Sequence, residues 1–125
     1  MERLQGSKTQ EQEANFDVVH ENHLGGCALN GDGATYYPMM WKHMIEKYDI
    51  KSMIDVGCGR GFSADYFKDL GVKVLGVEGC TEAVEKSFLP SEMIVKHDYE
   101  NDGPYIPEEE FDLCWSCEFV EHVDA

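Results

Sequence analysis

Basic side chains are scarce in this chain. Its 125 residues hold 10 lysines and arginines against 25 aspartates and glutamates, a formal net charge of −15 at pH 7. Such a surface repels phosphate backbones and anionic headgroups, so it disfavours nucleic acid and membrane surfaces as partners. Long apolar runs are missing as well; none approaches the roughly 18–20 residues of a membrane span. The first eight residues, from Met1 to Lys8, contain no apolar segment of the signal-peptide kind. The cysteines, Cys27, Cys58, Cys80, Cys114 and Cys117, are odd in number. Without a secretory leader they do not read as a disulfide framework. Reduced thiols and a cytoplasmic setting are therefore expected. What is present suffices for one domain, because 42% hydrophobic residues can supply a core.

Residues 1–15 are polar and unpatterned, and read as a flexible tail. Residues 16–50 read as a glycine-containing loop followed by a helix. Pro38 sits near the first turn of that helix, and Met40, Trp41, Met44, Ile45 and Tyr48 share one face. From residue 51 to 125 strands alternate with helices. A strand over 51–56 is followed by a helix over 61–70, with Phe62, Tyr66, Phe67 and Leu70 inward and Gly71 as its stop. A second strand over 72–77 ends at Glu78. Thr81 is the expected N-cap of a short helix reaching about Lys86. A third strand over 93–96 ends at His97 and Asp98, a turn-rich acidic loop covers 101–110, and a fourth strand covers 111–115. A further helix starts near Glu118. This order predicts an α/β fold with a parallel sheet and right-handed crossovers.

The most informative stretch is Asp55, Val56, Gly57, Cys58, Gly59, Arg60, Gly61. Glycines at alternate positions between a strand and a helix let the chain turn sharply and let a ligand lie against the backbone. The dinucleotide fingerprint G-x-G-x-x-G would need Gly or Ala where this chain has Phe62. The phosphate-loop pattern fails too, for no Gly-Lys-Ser/Thr follows. The carboxylate of Asp55 suits a ligand with an amino group or positive charge better than a pyrophosphate. That combination points to S-adenosylmethionine. Glu78, ending the next strand roughly 20 residues on, is placed to accept both hydroxyls of a ribose. Asp98, ending the third strand, is placed to accept from an adenine amino group, with Tyr99 beside it for packing.

Together with residues 111–116 and the pair Glu121-His122, these motifs resemble the ordered motifs of class I S-adenosylmethionine-dependent methyltransferases, over about residues 35–125. The resemblance implies a Rossmann-like, three-layer αβα sheet of order 3-2-1-4 that stops after the fourth strand, so residues 51–125 are the cofactor-binding half of a methyltransferase domain. It implies a cofactor set of Asp55, Gly57, Cys58, Gly59, Gly61, Glu78, Gly79, Asp98, Tyr99 and Ser116. Asp55 and the glycines would hold the methionine part, Glu78 the ribose and Asp98 the adenine, while residues 116–122 face the acceptor. Glu118, Glu121 and His122 form an E-x-x-E-H segment similar to the metal-binding segment of ubiquinone-pathway O-methyltransferases. They are candidates for a divalent metal such as Mg²⁺, with Glu121 and His122 also the catalytic candidates. The same three residues serve equally well as packing and capping groups of a metal-free enzyme.

The expected activity is methyl transfer to an oxygen, nitrogen or carbon of a small molecule. The alternative is a binding module that holds the cofactor without transferring its methyl. The Cys114-x-x-Cys117 pair reads as strand packing rather than a redox motif, with Cys114 pointing into the sheet. His20 and His23 read as solvated, and Trp41 as core, with Tyr36 and Tyr37 near the acceptor mouth. A full domain of this kind has seven strands. A chain showing four is expected to be part of a longer protein, or to have its fourth-strand edge covered by a second copy or another protein.

Overall fold

A computed structural model describes residues 18–19, 27–28 and 36–117. Within the segment expected to be loop, β1 (Val18–Val19) pairs antiparallel with β2 (Cys27–Ala28). Helix α1 (Pro38–Tyr48) has Pro38 in its first turn, where a missing N–H costs nothing. It ends on Asp49 in the left-handed region (φ 53°), whose N–H returns to the Ile45 carbonyl. Then come β3 (Ser52–Val56), α2 (Phe62–Asp69), β4 (Lys73–Glu78) and α3 (Thr81–Glu85). A 3-10 turn (Ser91–Met93) leads into β5 (Ile94–Lys96), followed by α4 (Tyr99–Asp102) and β6 (Leu113–Trp115).

Strands β5, β4, β3 and β6 form one parallel sheet in that order. In chain order this is 3-2-1-4, so the Rossmann-like arrangement stands. β3 is central, with Asp55 opposite Gly76 of β4 on one side and Trp115 of β6 on the other. The start of β6 is tied to β3 by polar bonds. The Lys51 N–H donates to Asp112 Oδ2 (2.8 Å) and the Asp112 N–H to Ser52 Oγ (3.0 Å). Among the described residues, no strand pairs with the outer edge of β6.

Strand alternation divides the sheet into two faces. Met53, Val74 and Leu113 enter one cluster with Trp41 of α1, Phe67 of α2 and Val84 of α3. The other face carries Ile54 and Cys114, which line a groove with the loop residues 107–111. A second helical layer is not among the described residues. Cys114 therefore departs from expectation: Leu113 and Trp115 take the helix side of β6, which turns Cys114 to the opposite face, where it is exposed.

Trp41 is the centre of the core. It is wholly buried, and its ring meets Tyr36, Tyr37, Tyr66, Phe67 and Trp115 at centroid distances of 5.2, 6.3, 5.7, 5.6 and 5.8 Å. Three residues expected on the buried faces lie at their margins, since Met40, Tyr48 and Leu70 are exposed. The Trp41 indole N–H is buried without an acceptor among the described residues, which costs part of what the ring's burial contributes. Truncation and isosteric trimming should therefore differ. Trp41→Ala is expected to lose about 3–5 kcal/mol in urea unfolding. Trp41→Phe should lose clearly less, since it keeps ring contacts and removes the unsatisfied donor.

Candidate functional site

The carboxyl ends of β3, β4 and β5 open on the same side, and the residues singled out from the sequence lie there in order. Parallel strands leave unpaired N–H groups where they end, and each must find an acceptor or water. Here the accounting closes across β3 and β4. The N–H groups of Gly57 and Cys58 both reach the Val77 carbonyl, at 2.8 and 3.2 Å. The next pair goes to one side chain. The Gly59 N–H donates to Glu78 Oε1 (2.8 Å) and the Cys80 N–H to Glu78 Oε2 (2.9 Å). Thr81 consequently does not cap α3. Cys80 holds the N-cap position, and Glu78 binds its N–H. Gly79 lies between them, half-buried.

The loop glycines Gly57, Gly59 and Gly61 have φ of 75°, 61° and 92°, in the region that disfavours any side chain. Gly61 is constrained twice, because a Cβ there would also stand 2.9 Å from Leu89 Cγ. Gly76, within β4, needs to be glycine for space alone: a Cβ would meet Cys58 Sγ at 2.7 Å. The Cys58 thiol thus fills the place a β4 side chain would take, and it donates to the Gly59 carbonyl at 3.4 Å.

A strap on the loop's far side escaped sequence reasoning. Arg60 Nε donates to the Lys86 carbonyl (2.6 Å), and the guanidinium lies over the Phe88 ring, 4.2 Å from its centroid. The Arg60 carbonyl accepts from the Phe88 N–H (2.8 Å) and Ser87 Oγ (3.2 Å), and Phe62 packs on Phe88. No local pattern announces such pairing between residues 26 or so positions apart in sequence.

Asp55 has the site's most unusual environment. It is 3% exposed, and no described residue donates a hydrogen bond to its carboxylate. Burial, then the charge of Glu78, pushes its carboxyl up to about 7. A buried carboxyl facing a second acid is stabilised by a ligand that brings a cation or a donor.

Asp98 is also buried, but its carboxylate is engaged as the N-cap of α4. Oδ1 accepts from the Glu100 and Asn101 N–H groups (3.0 and 3.4 Å), and Oδ2 from the Asn101 amide (3.0 Å). Beside it His97 Nε2 bonds the Gly103 carbonyl (2.7 Å) and stands between the rings of Tyr99 and Tyr105. The Tyr99 phenol is raised above its ordinary range by burial, then by Cys114 and Tyr105. Ser116 Oγ donates to the Val56 carbonyl (3.0 Å), which fixes the exit of β6 beside the loop. Glu118, Glu121 and His122, with His20 and His23, lie outside the described residues. Among the described residues no group of three or more histidine, cysteine or acidic side chains is placed to hold a metal.

Comparison with known proteins agrees with this geometry. Residues 54–125, more than half of the chain, match the family model described as a methyltransferase domain. Over 74 residues the chain is 31% identical to the ubiquinone biosynthesis O-methyltransferase of Rhodopseudomonas palustris (strain BisB18) and 32% identical to that of Bradyrhizobium sp. (strain ORS 278). Each match covers 57% of this chain and 29% of the relative, so the similarity spans under a third of those proteins. No solved structure matches the chain significantly.

The Asp55 carboxyl makes stability depend on pH in a definite direction. An unfolded aspartate titrates near 4, whereas the folded one titrates at about 7. Between those values the unfolded chain has released a proton that the folded chain keeps, so stability falls as pH rises. Asp55→Asn keeps the shape and removes the ionisation. At pH 8 the variant is expected to be the more stable by up to about 4 kcal/mol. The gain should fade toward pH 4. Urea unfolding of both chains at the two pH values checks it; a wild-type chain no less stable at pH 8 would contradict it.

Proposed function

Since the chain belongs to the methyltransferase-domain family, we propose that it is the cofactor-holding part of an enzyme that moves the methyl group of S-adenosylmethionine to an oxygen, nitrogen or carbon of a small molecule. The observation that carries this reading is Asp55: a buried carboxylate, with no donor among the described residues, at the end of the central strand beside a loop of left-handed glycines. The bound cofactor supplies an electrophilic methyl on a sulfonium, and transfer to the acceptor is a direct displacement. Proximity and alignment can account for much of the acceleration of such a step.

The proposed roles follow the order of the strand ends. Asp55 takes the ammonium of the methionine part, and Gly57, Cys58, Gly59 and Gly61 leave the backbone open to it. Glu78 takes the ribose hydroxyls. Its two backbone bonds occupy one acceptor site on each oxygen, and each oxygen keeps another. Gly79 lets the sugar approach the turn. Asp98 and Tyr99 flank the adenine, and Ser116 leads into the segment facing the acceptor. Glu121 and His122 are the proposed general-base candidates, with Glu118 as a third ligand should the reaction use a divalent metal.

Similarity to two ubiquinone biosynthesis O-methyltransferases supports a small-molecule acceptor and an O-methyl product, and the acidic surface favours a substrate that is not a polyanion. Among the described residues Cys58, Cys80, Cys114 and Cys117 are not in disulfide bonds, which supports a reducing, cytoplasmic setting. The unpaired edge of β6 favours a second reading, a cofactor-binding module completed by further polypeptide. Transfer from labelled S-adenosylmethionine to a phenolic acceptor separates the two.

Calorimetric titration with S-adenosylhomocysteine tests the cofactor site directly. Micromolar binding is expected, with Asp55→Ala and Glu78→Gln each weakening it by about tenfold or more. A folded chain that takes up no ligand would overturn the cofactor reading.

A further inference from the structure

Two acids meet at the carboxyl ends of β3 and β4, and their surroundings are opposite. Glu78 is half-buried and has a backbone N–H on each oxygen. Asp55 is 3% exposed and receives none from the described residues. Glu78 lies two residues beyond Gly76, the register partner of Asp55, so the two acids are neighbours across β3 and β4. A negative charge buried beside a second acid is costly, and a single proton removes most of that cost.

We propose, resting on the cofactor reading above, that the empty site carries a proton on Asp55 and that the cationic end of S-adenosylmethionine enters by exchange for it. The Asp55 carboxyl gives its O–H proton to solvent, the carboxylate so formed pairs with the incoming ammonium, and the net charge of the pocket is unchanged. Binding then releases a proton, and affinity rises with pH until Asp55 is ionised in the free chain as well.

The neighbours of Asp55 leave it as the group that responds. On β4 its register partner is Gly76, and Glu78 is the charge that acts on it. On β6 its partner is Trp115, and the acid of the preceding turn, Asp112, is exposed and bonded to the Lys51 N–H. Helix α2 presents Asp65, whose Oδ1 lies 3.6 Å from the Lys68 ammonium. Helix α1 packs its neutral Trp41 against Trp115, and its ionisable residues Lys42, His43, Glu46, Lys47 and Tyr48 are exposed. In the glycine loop the thiol of Cys58 is engaged by the Gly59 carbonyl, and the Arg60 guanidinium is drawn away over Phe88. Burial and Glu78 together hold the Asp55 carboxyl well above the ordinary range.

Carboxyl carbon NMR of the full chain labelled at aspartate tests the exchange, with Asp55→Asn for assignment. One aspartate resonance should titrate near neutrality in the free chain and be absent from the variant. Saturating S-adenosylmethionine should move its midpoint down into the ordinary carboxylate range. In parallel, calorimetry at about pH 6 in buffers of different ionisation enthalpy should count about one proton released per ligand bound. An Asp55 resonance titrating in the ordinary range without ligand overturns the proposal. So does binding that neither moves its midpoint nor releases a proton, and in that case the cofactor reading stands. A folded chain showing no binding from about pH 5 to pH 9 overturns the cofactor reading, and the exchange with it.

Discussion

One carboxylate holds the two rims of this pocket together. Glu78 closes the backbone accounting of the glycine loop through Gly59 and of the turn after β4 through Cys80. Neither N–H has another partner among the described residues, and an unsatisfied amide at a half-buried loop is costly. The loop's path and the start of α3 are therefore tied to one side chain. The awkward position of Asp55 follows from it: the acid fastened there acts on a buried neighbour that receives no hydrogen bond from the described residues.

The same loop is fastened from outside by Arg60, Phe88 and Ser87. Between the inner carboxylate and the outer strap, little freedom remains in residues 57–61. A loop already ordered before its ligand arrives spares the ordering entropy that a mobile one loses on binding. Cys58 contributes by packing rather than reactivity, since its sulfur occupies the space opened by Gly76. Rigidity at this end of the sheet thus comes from two missing side chains, at Gly61 and Gly76, as much as from those present.

Much of this was legible in the residues alone. Strand and helix alternation from residue 51, the acid at each strand end and the three glycines all carried local signals, while the sheet order came from the family resemblance that these motifs carry. The errors came where a local rule met a longer-range competitor. Thr81 has the chemistry of a cap, but the helix starts one residue earlier, with Cys80 in the cap position and its own N–H held by Glu78 of the preceding strand. Cys114 reads as an interior residue until register with β3 assigns Leu113 and Trp115 to the helix side. The strap between Arg60 and Phe88 joins two loops that share no periodicity. That Asp55 has no donor is a property of the assembled site, because no sequence pattern states which groups fail to arrive.

The order of the strands has a consequence for how the chain acquires this site. β3 is made before its neighbours yet ends between them, paired first with β4 across the short α2 crossover and with β6 only across the whole of the intervening chain. Loop-closure entropy favours the nearer pairing, so β6 is the late arrival. Before it docks, the flank of Asp55 later covered by Trp115 is open to water, and the side chain there is an ordinary ionised aspartate. Completion of the sheet is then also a protonation event. A proton taken up after the transition state leaves the folding arm of a chevron unchanged, so its pH dependence near neutrality should fall on the unfolding arm.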